Sequence, residues 1–225
     1  MREKDEGDYM IPKVIHYFWF GGKELPKEYK KNIMTWRKYC PEYKIVRWSE
    51  KNYDVTKNQY MNEAFISGKY GFVPDFARLD VIYRYGGIYL DVDVALVRNL
   101  DDLLCYEGYV GFENYNKRLH IAMGQGFGAI AGNNVIKDLL AIYDTRQFIK
   151  PNGTYDLRTS SELVSNYFVR NGVYLENRMQ ELEGMKILPC DYFCPWIFIG
   201  SGGKYRIKKI TRNTHSIHYF AGTWK

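Results

Sequence analysis

Gly86-Gly87-Ile88-Tyr89-Leu90-Asp91-Val92-Asp93-Val94 is the stretch that decides how this chain folds. Two glycines end a helix, an apolar strand follows, and two carboxylates sit two residues apart. Side chains alternate across a strand, so the pattern predicts Asp91 and Asp93 on one face and Ile88, Leu90, Val92 and Val94 on the other. Like charges on one face repel unless something positive lies between them. A divalent cation fills that role, because carboxylate oxygens suit Mn²⁺ or Mg²⁺ and those ions in turn bind phosphates. Ligands of open α/β sheets bind at the C-terminal ends of strands. The stretch therefore reads as a holder for a metal and a diphosphate.

Working upstream, Pro74 stands where a helix can start, and Phe76, Leu79 and Tyr83 recur at helical spacing as far as the glycines. Asp75 and Arg78 are three apart and share a helix face. On spacing alone they read as an exposed ion pair worth about 0–1 kcal/mol. The functional alternative puts them beside the aspartates, Asp75 accepting from hydroxyls and Arg78 donating to a sugar or phosphate oxygen. Asp80 and Arg84 are spaced to pair as well. Earlier still, residues 13–20 and 43–48 read as strands, and 26–39 and 57–67 as helices. Trp19 ends the first strand, either as a cap on the core or as an aromatic face for a base. His16 reads as a core or supporting histidine.

Downstream, residues 101–104 read as a turn or short helix, 109–112 as a strand, and about 134–144 and 160–170 as helices. The glycine-rich run Gly124-Gln125-Gly126-Phe127-Gly128-Ala129 has a weak likeness to a dinucleotide fingerprint. Close approach of backbone to a ligand is the better reading. This run, with Glu113 and Asn114, is expected to influence sugar choice. Gly200-Ser201-Gly202-Gly203-Lys204 lacks the spacing of a phosphate loop. Late in the chain, Ser216-Ile217-His218-Tyr219-Phe220 reads as a short strand. His218 is either structural or a third ligand beside the two carboxylates, with His215 as competitor on the opposite side. Strands alternating with helices argue for an α/β domain with a mixed sheet.

The 225 residues suffice for one domain with a real core. Tyrosines number 21 against 12 phenylalanines and 5 tryptophans, a bias that suits sugar and base recognition as well as packing. No run of about 18 apolar residues offers a membrane span. The charged N-terminus, residues 1–10, reads as a flexible tail without a signal core, so the expected location is the cytoplasm. The net charge of +6 is dispersed, with concentrations at 27–31 and 204–209. No nucleic-acid motif accompanies it, which leaves peripheral contact with an anionic membrane as the partner reading. Cys40, Cys105, Cys190 and Cys194 read as reduced thiols, since Cys190 and Cys194 lack a second pair at zinc spacing.

Three blocks together carry a resemblance. Pro12-Lys13-Val14-Ile15-His16-x-x-Trp19-Phe20-Gly21-Gly22 comes first. Asp75-x-x-Arg78 leads into Gly86-Gly87-Ile88-Tyr89-x-Asp91-x-Asp93, and Ser216-Ile217-His218-x-x-x-Gly222-Thr223-Trp224 closes the set. In this order they resemble glycosyltransferase family 32. That family includes yeast-type initiating mannosyltransferases and capsule and O-antigen enzymes, and is similar in its core to clostridial glucosylating toxins. The resemblance implies a GT-A fold over residues 11–225 as one catalytic domain, with a C-terminal lid at about 215–225. It implies a Mn²⁺ (or Mg²⁺) cofactor held by Asp91, Asp93 and His218. Trp19 would stack on the base, Asp75 and Arg78 would hold ribose or donor sugar, and Thr223 and Trp224 would lie over the diphosphate. Asp91, Asp93, Arg78 and Trp224 form the implied catalytic set. The implied reaction is retaining transfer from a nucleotide-sugar donor, UDP-sugar favoured, to a glycan or lipid-linked acceptor in surface polysaccharide synthesis. A nucleotide-sugar hydrolase and a non-catalytic glycan binder are the alternatives.

Overall fold

Residues 11–115, 118–199, 204–207 and 210–222 are described by the structure, a computed structural model. The expected tail at 1–10 and the lid residues Thr223 and Trp224 lie outside the described residues.

In chain order the elements are β1 (Val14–Phe18), α1 (Lys27–Tyr39), β2 (Lys44–Trp48), α2 (Gln59–Ile66), α3 (Val73–Tyr85), β3 (Gly87–Tyr89) and β4 (Val94–Leu96). Then come β5 (Gly108–Tyr115), β6 (Arg118–Ala122), β7 (Phe127–Ala129), α4 (Asn134–Ala141) and α5 (Ser160–Arg170). The last are β8 (Gln180–Leu182), β9 (Met185–Leu188), β10 (Trp196–Ile199), β11 (Lys204–Ile207) and β12 (Ser216–His218). The predicted helix at 57–67 is α2, with a short 3₁₀ turn just before it. Asp54 caps that turn at Val55–Lys57, and the side chain of Asn58 then accepts from the Met61 amide to start α2.

The main sheet runs β2-β1-β3-β7-β5-β9-β8, with β6 paired to β5. Pairs β1–β2, β1–β3 and β5–β9 are parallel, while β7 runs antiparallel to both β3 and β5. This is the mixed α/β sheet expected from the sequence. Period-two alternation assigns the strand side chains to two cores. Ile15, Tyr17 and Ile88 face α1 and pack with Trp36, whereas Phe18 and Tyr89 face the α2–α3 layer with Tyr60 and Val81. Among the described residues no helix is long and apolar enough to cross a membrane.

Gly86 and Gly87 explain how α3 passes into β3. Both have positive φ, 65° and 102°, a region that side chains with a Cβ rarely adopt. A Cβ on Gly87 would also come within 2.8 Å of the Val14 carbonyl and 3.0 Å of His16 Nε2. The glycines thus let α3 end tightly and deliver β3 alongside β1.

The strand predicted across the two aspartates is not continuous. β3 stops at Tyr89, and the Val94 amide donates to the Asp91 carbonyl at 3.0 Å, so Asp91–Val94 is a turn between β3 and β4. The apolar half of the reading holds, since Ile88, Leu90, Val92 and Val94 all pack in the α1-side core. Helix α1 fixes the turn from below. Asn32 Nδ2 donates to the Val92 carbonyl at 2.9 Å, and Trp36 Nε1 donates to that of Val94 at 2.8 Å. These donors satisfy backbone that a continuous ladder would otherwise have paired.

Candidate functional site

The turn opens into a cleft of about 770 Å³ whose walls include Trp19, Asp75, Arg78, Asp91, Asp93 and His218. Every site residue expected from the sequence and described by the structure lies on this one cleft.

Asp93 is buried, and the chain after β12 wraps over it. The Ala221 amide donates to Asp93 Oδ2 at 2.9 Å, and the Tyr219 amide donates to its carbonyl at 3.0 Å. β12 pairs with β4 in a register that sets His218 opposite Val94. That register brings His218 Nε2 to 3.4 Å from Asp93 Oδ1. His215, the competitor, points elsewhere: its Nδ1 lies 2.7 Å from the Asn99 carbonyl.

Asp91 is held by three groups. The Tyr89 hydroxyl donates to its Oδ1, Arg78 Nη1 stands 3.7 Å from its Oδ2, and its own amide donates to the Gly124 carbonyl at 2.9 Å. Gly124 has to be glycine here, since a Cβ would lie 2.2 Å from Asp91 Oδ2 and 3.3 Å from Arg78 Nη1. The glycine-rich run is expected to bring backbone close to a ligand; at this position the structure shows the Gly124 backbone close against the Asp91 and Arg78 side chains.

Asp75 and Arg78 are not the exposed pair that their spacing alone suggested. Their side chains are only 7% and 6% accessible and meet at 2.9 Å. Arg78 Nε also donates to the Pro74 carbonyl at 2.9 Å, and the guanidinium lies 4.8 Å from the Tyr89 ring centre. The helix is the same at Asp80 and Arg84, which pair at 2.8 Å, yet there the arginine is 33% accessible. Burial beneath the cleft, which i,i+3 spacing cannot reveal, separates the two pairs.

Trp19 sits at the rim, its Nε1 donating to the Lys23 carbonyl at 2.8 Å and its ring meeting the edge of Tyr29. His16 is a supporting residue under the sheet, between Trp48 Nε1 at 3.0 Å and the Gly86 carbonyl at 3.1 Å. Two residues gained roles that spacing did not show. Tyr89 belongs to the opening stretch but has no distinguishing periodicity. Glu113, read only as an influence on sugar choice, places Oε2 3.3 Å from His218 Nδ1.

The electrostatics separate the two aspartates. Burial raises Asp91 above the usual carboxylate range although Arg78 opposes it. Burial works on Asp93 in the same direction, but His218 and the Ala221 amide outweigh it and hold that carboxyl low. Burial pulls His218 down, and Asp93 and Glu113 overcome it to hold the imidazole well above its ordinary range. Asp75 is raised by burial against the pull of Arg78 and Arg146.

One ligand atom each from Asp91, Asp93 and His218 lies within 4.8 Å of the others. Two carboxylates and an imidazole suit a divalent ion of the Mn²⁺ type, and the carboxylate excess over nearby cations gives such an ion a reason to bind. The residues present therefore fit the metal implied for this site.

The fold is of the GT-A type. A solved structure described as PaToxG Glycosyltransferase superposes with a TM-score of 0.50 at 19% identity, covering 72% of this chain and 70% of that one. Residues 26–109 match the family described as "Glycosyltransferase sugar-binding region containing DXD motif". That span takes in Asp75, Arg78, Asp91 and Asp93. The chain is 33% identical over 104 residues to inositol phosphoceramide mannosyltransferase 3 of Schizosaccharomyces pombe, covering 44% of this chain and 29% of that protein. It is 30% identical over 105 residues to the mannosyl phosphorylinositol ceramide synthase SUR1 of Saccharomyces cerevisiae, covering 45% of this chain and 27% of that protein. The chain thus spans less than a third of the length of these relatives.

Proposed function

We propose that this chain is a metal-dependent, retaining glycosyltransferase that moves a sugar from a nucleotide-sugar donor to a hydroxyl acceptor. The observation that carries the reading is the meeting of Asp91, Asp93 and His218 on the same cleft wall as the buried Asp75–Arg78 pair. A cation bound by Asp91, Asp93 and His218 supplies Lewis-acid neutralisation of charge on the departing diphosphate.

The remaining work falls to the side chains. Trp19 at the rim offers a face for the base. Arg78, fixed by Asp75, the Pro74 carbonyl and Tyr89, is preorganised to donate to donor oxygens without reorganising during reaction. Asp75 orients that arginine and accepts from a sugar or ribose hydroxyl. Asp91 is oriented by Tyr89 and Arg78 so that one face stays toward the cleft. Thr223 and Trp224 are proposed to close over the donor from the segment that follows Gly222. Acceptor attack from the face the diphosphate leaves gives retention without a protein nucleophile. The catalytic unit is proposed to span residues 11–225.

The relatives are named an inositol phosphoceramide mannosyltransferase and a mannosyl phosphorylinositol ceramide synthase, which supports a lipid-linked acceptor for this chain. We place the enzyme at a cytoplasmic membrane face, building a surface polysaccharide, with a UDP-sugar as the first donor to test.

The test is nucleotide release from UDP- and GDP-sugars with and without Mn²⁺, and with and without a lipid-linked acceptor. Acceptor-dependent, Mn²⁺-dependent release is expected, and Asp93→Ala should lower it by at least about 100-fold. Wild-type turnover in that variant would refute the metal assignment. Release that ignores acceptor would identify a hydrolase.

A further inference from the structure

Glu113 is an acidic side chain lining the cleft, only 6% accessible. It stands near the end of β5, where the ladder sets it opposite His120 of β6. A buried carboxylate needs a partner, since an unpaired charge is costly away from water. The partner here is the His218 imidazole, 3.3 Å from Glu113 Oε2 to Nδ1. The opposite ring nitrogen, Nε2, faces Asp93 at 3.4 Å.

The rest of His218 is also constrained. β12 fixes its backbone against Val94, Trp196 Nε1 donates to its carbonyl at 2.6 Å, and Phe220 lies 4.3 Å from its ring centre. None of these contacts decides which ring nitrogen carries a proton. A neutral imidazole has one donor and one acceptor nitrogen, and the hydrogen bond made by one fixes the role of the other. With a cation between Asp91 and Asp93 the imidazole is neutral; the Glu113 carboxylate at Nδ1 can only accept, so it would hold the proton there and leave the Nε2 lone pair for the ion.

We propose that Glu113 is a positioning residue for the cation site: it accepts from His218 Nδ1–H and thereby presents Nε2 as a ligand. The inference rests on the proposed role of Asp91, Asp93 and His218 in holding the metal. Carboxylates that accept from metal-ligating histidines commonly change metal affinity by about 10–100-fold when removed.

Mn²⁺ binding to the purified protein, read from the electron paramagnetic resonance signal of free Mn²⁺, tests this without any turnover. Asp93→Ala is measured first; if it leaves Mn²⁺ affinity unmoved, the metal reading itself fails. With that reading upheld, Glu113→Leu should weaken Mn²⁺ by about 10–100-fold, and saturating Mn²⁺ should restore most of its turnover. Glu113→Gln keeps an acceptor oxygen and should weaken it less. Neither change should have further effect on a His218→Ala background, because coupled residues are non-additive. Wild-type Mn²⁺ affinity in Glu113→Leu would overturn the inference, as would an equal effect with and without His218. If Glu113→Leu does not fold by circular dichroism, the Glu113→Gln and His218→Ala cycle decides: coupling supports the assignment and strict additivity overturns it.

Discussion

His16 and His218 stand in two differently finished polar networks. Trp48 Nε1 is a donor only, so it requires His16 Nδ1 as acceptor, and the Gly86 carbonyl then receives the proton on Nε2. His16 satisfies both of these groups and is satisfied by them, and burial pushes it down to about 4. At His218 the partners are Asp93 and Glu113, with Asp91 close by, and burial is overcome in the opposite direction. The first network is closed and needs nothing from outside. The second leaves carboxylate oxygens in excess on a cleft wall, which is the condition for binding a cation.

The strongest way to break this contrast is at Arg78, the guanidinium that offsets the surplus charge. Arg78→Met should destabilise the protein by about 3–5 kcal/mol in urea unfolding, because it leaves Asp75 buried without its ion partner. A loss under about 1 kcal/mol would mean that the carboxylates around the cleft need no fixed cation.

A smaller effect sharpens the closed side. The folded value of His16 lies below its ordinary 6.5, so its contribution is complete above the unfolded value and is lost as pH falls toward 4. Wild-type stability should therefore be lower at pH 5 than at pH 7.5 by about 2 kcal/mol from this group alone. His16→Gln, which does not titrate, should lack that component; an identical pH slope in both proteins would show that the network admits a proton freely.

The least effect is expected at Arg84, on the same helix as Arg78 but at its exposed end. Arg84→Ala should change stability by about 0–1 kcal/mol and leave Mn²⁺ affinity unchanged. A larger loss would erase the distinction between the two pairs.

Much of this was legible in the sequence, for reasons that can be named. The apolar members of the opening stretch fixed the core face, and the double glycine fixed the end of α3. The aspartates converge as expected, but through a turn, because Asn32 and Trp36 on a distant helix satisfy backbone that a strand would have paired. Spacing put Asp75 with Arg78 and Asp80 with Arg84 equally well; only the third dimension buries one pair and exposes the other. His218 was visible as a short-strand histidine among alternatives. Its contact with Glu113 was not, since side chains 105 residues apart share no local pattern.

That separation has a bearing on how the molecule comes to be competent. β12 pairs with β4, and only then do His218, the Ala221 amide and the Glu113 contact arrive around Asp93. Closing so long a loop carries an entropy penalty that local elements such as α3 do not face. A chain emerging from the ribosome can thus complete α3 and the aspartate turn while the histidine wall is still missing. Cation capture becomes a late event, and a molecule that binds the ion has by that fact finished assembling both halves of its fold.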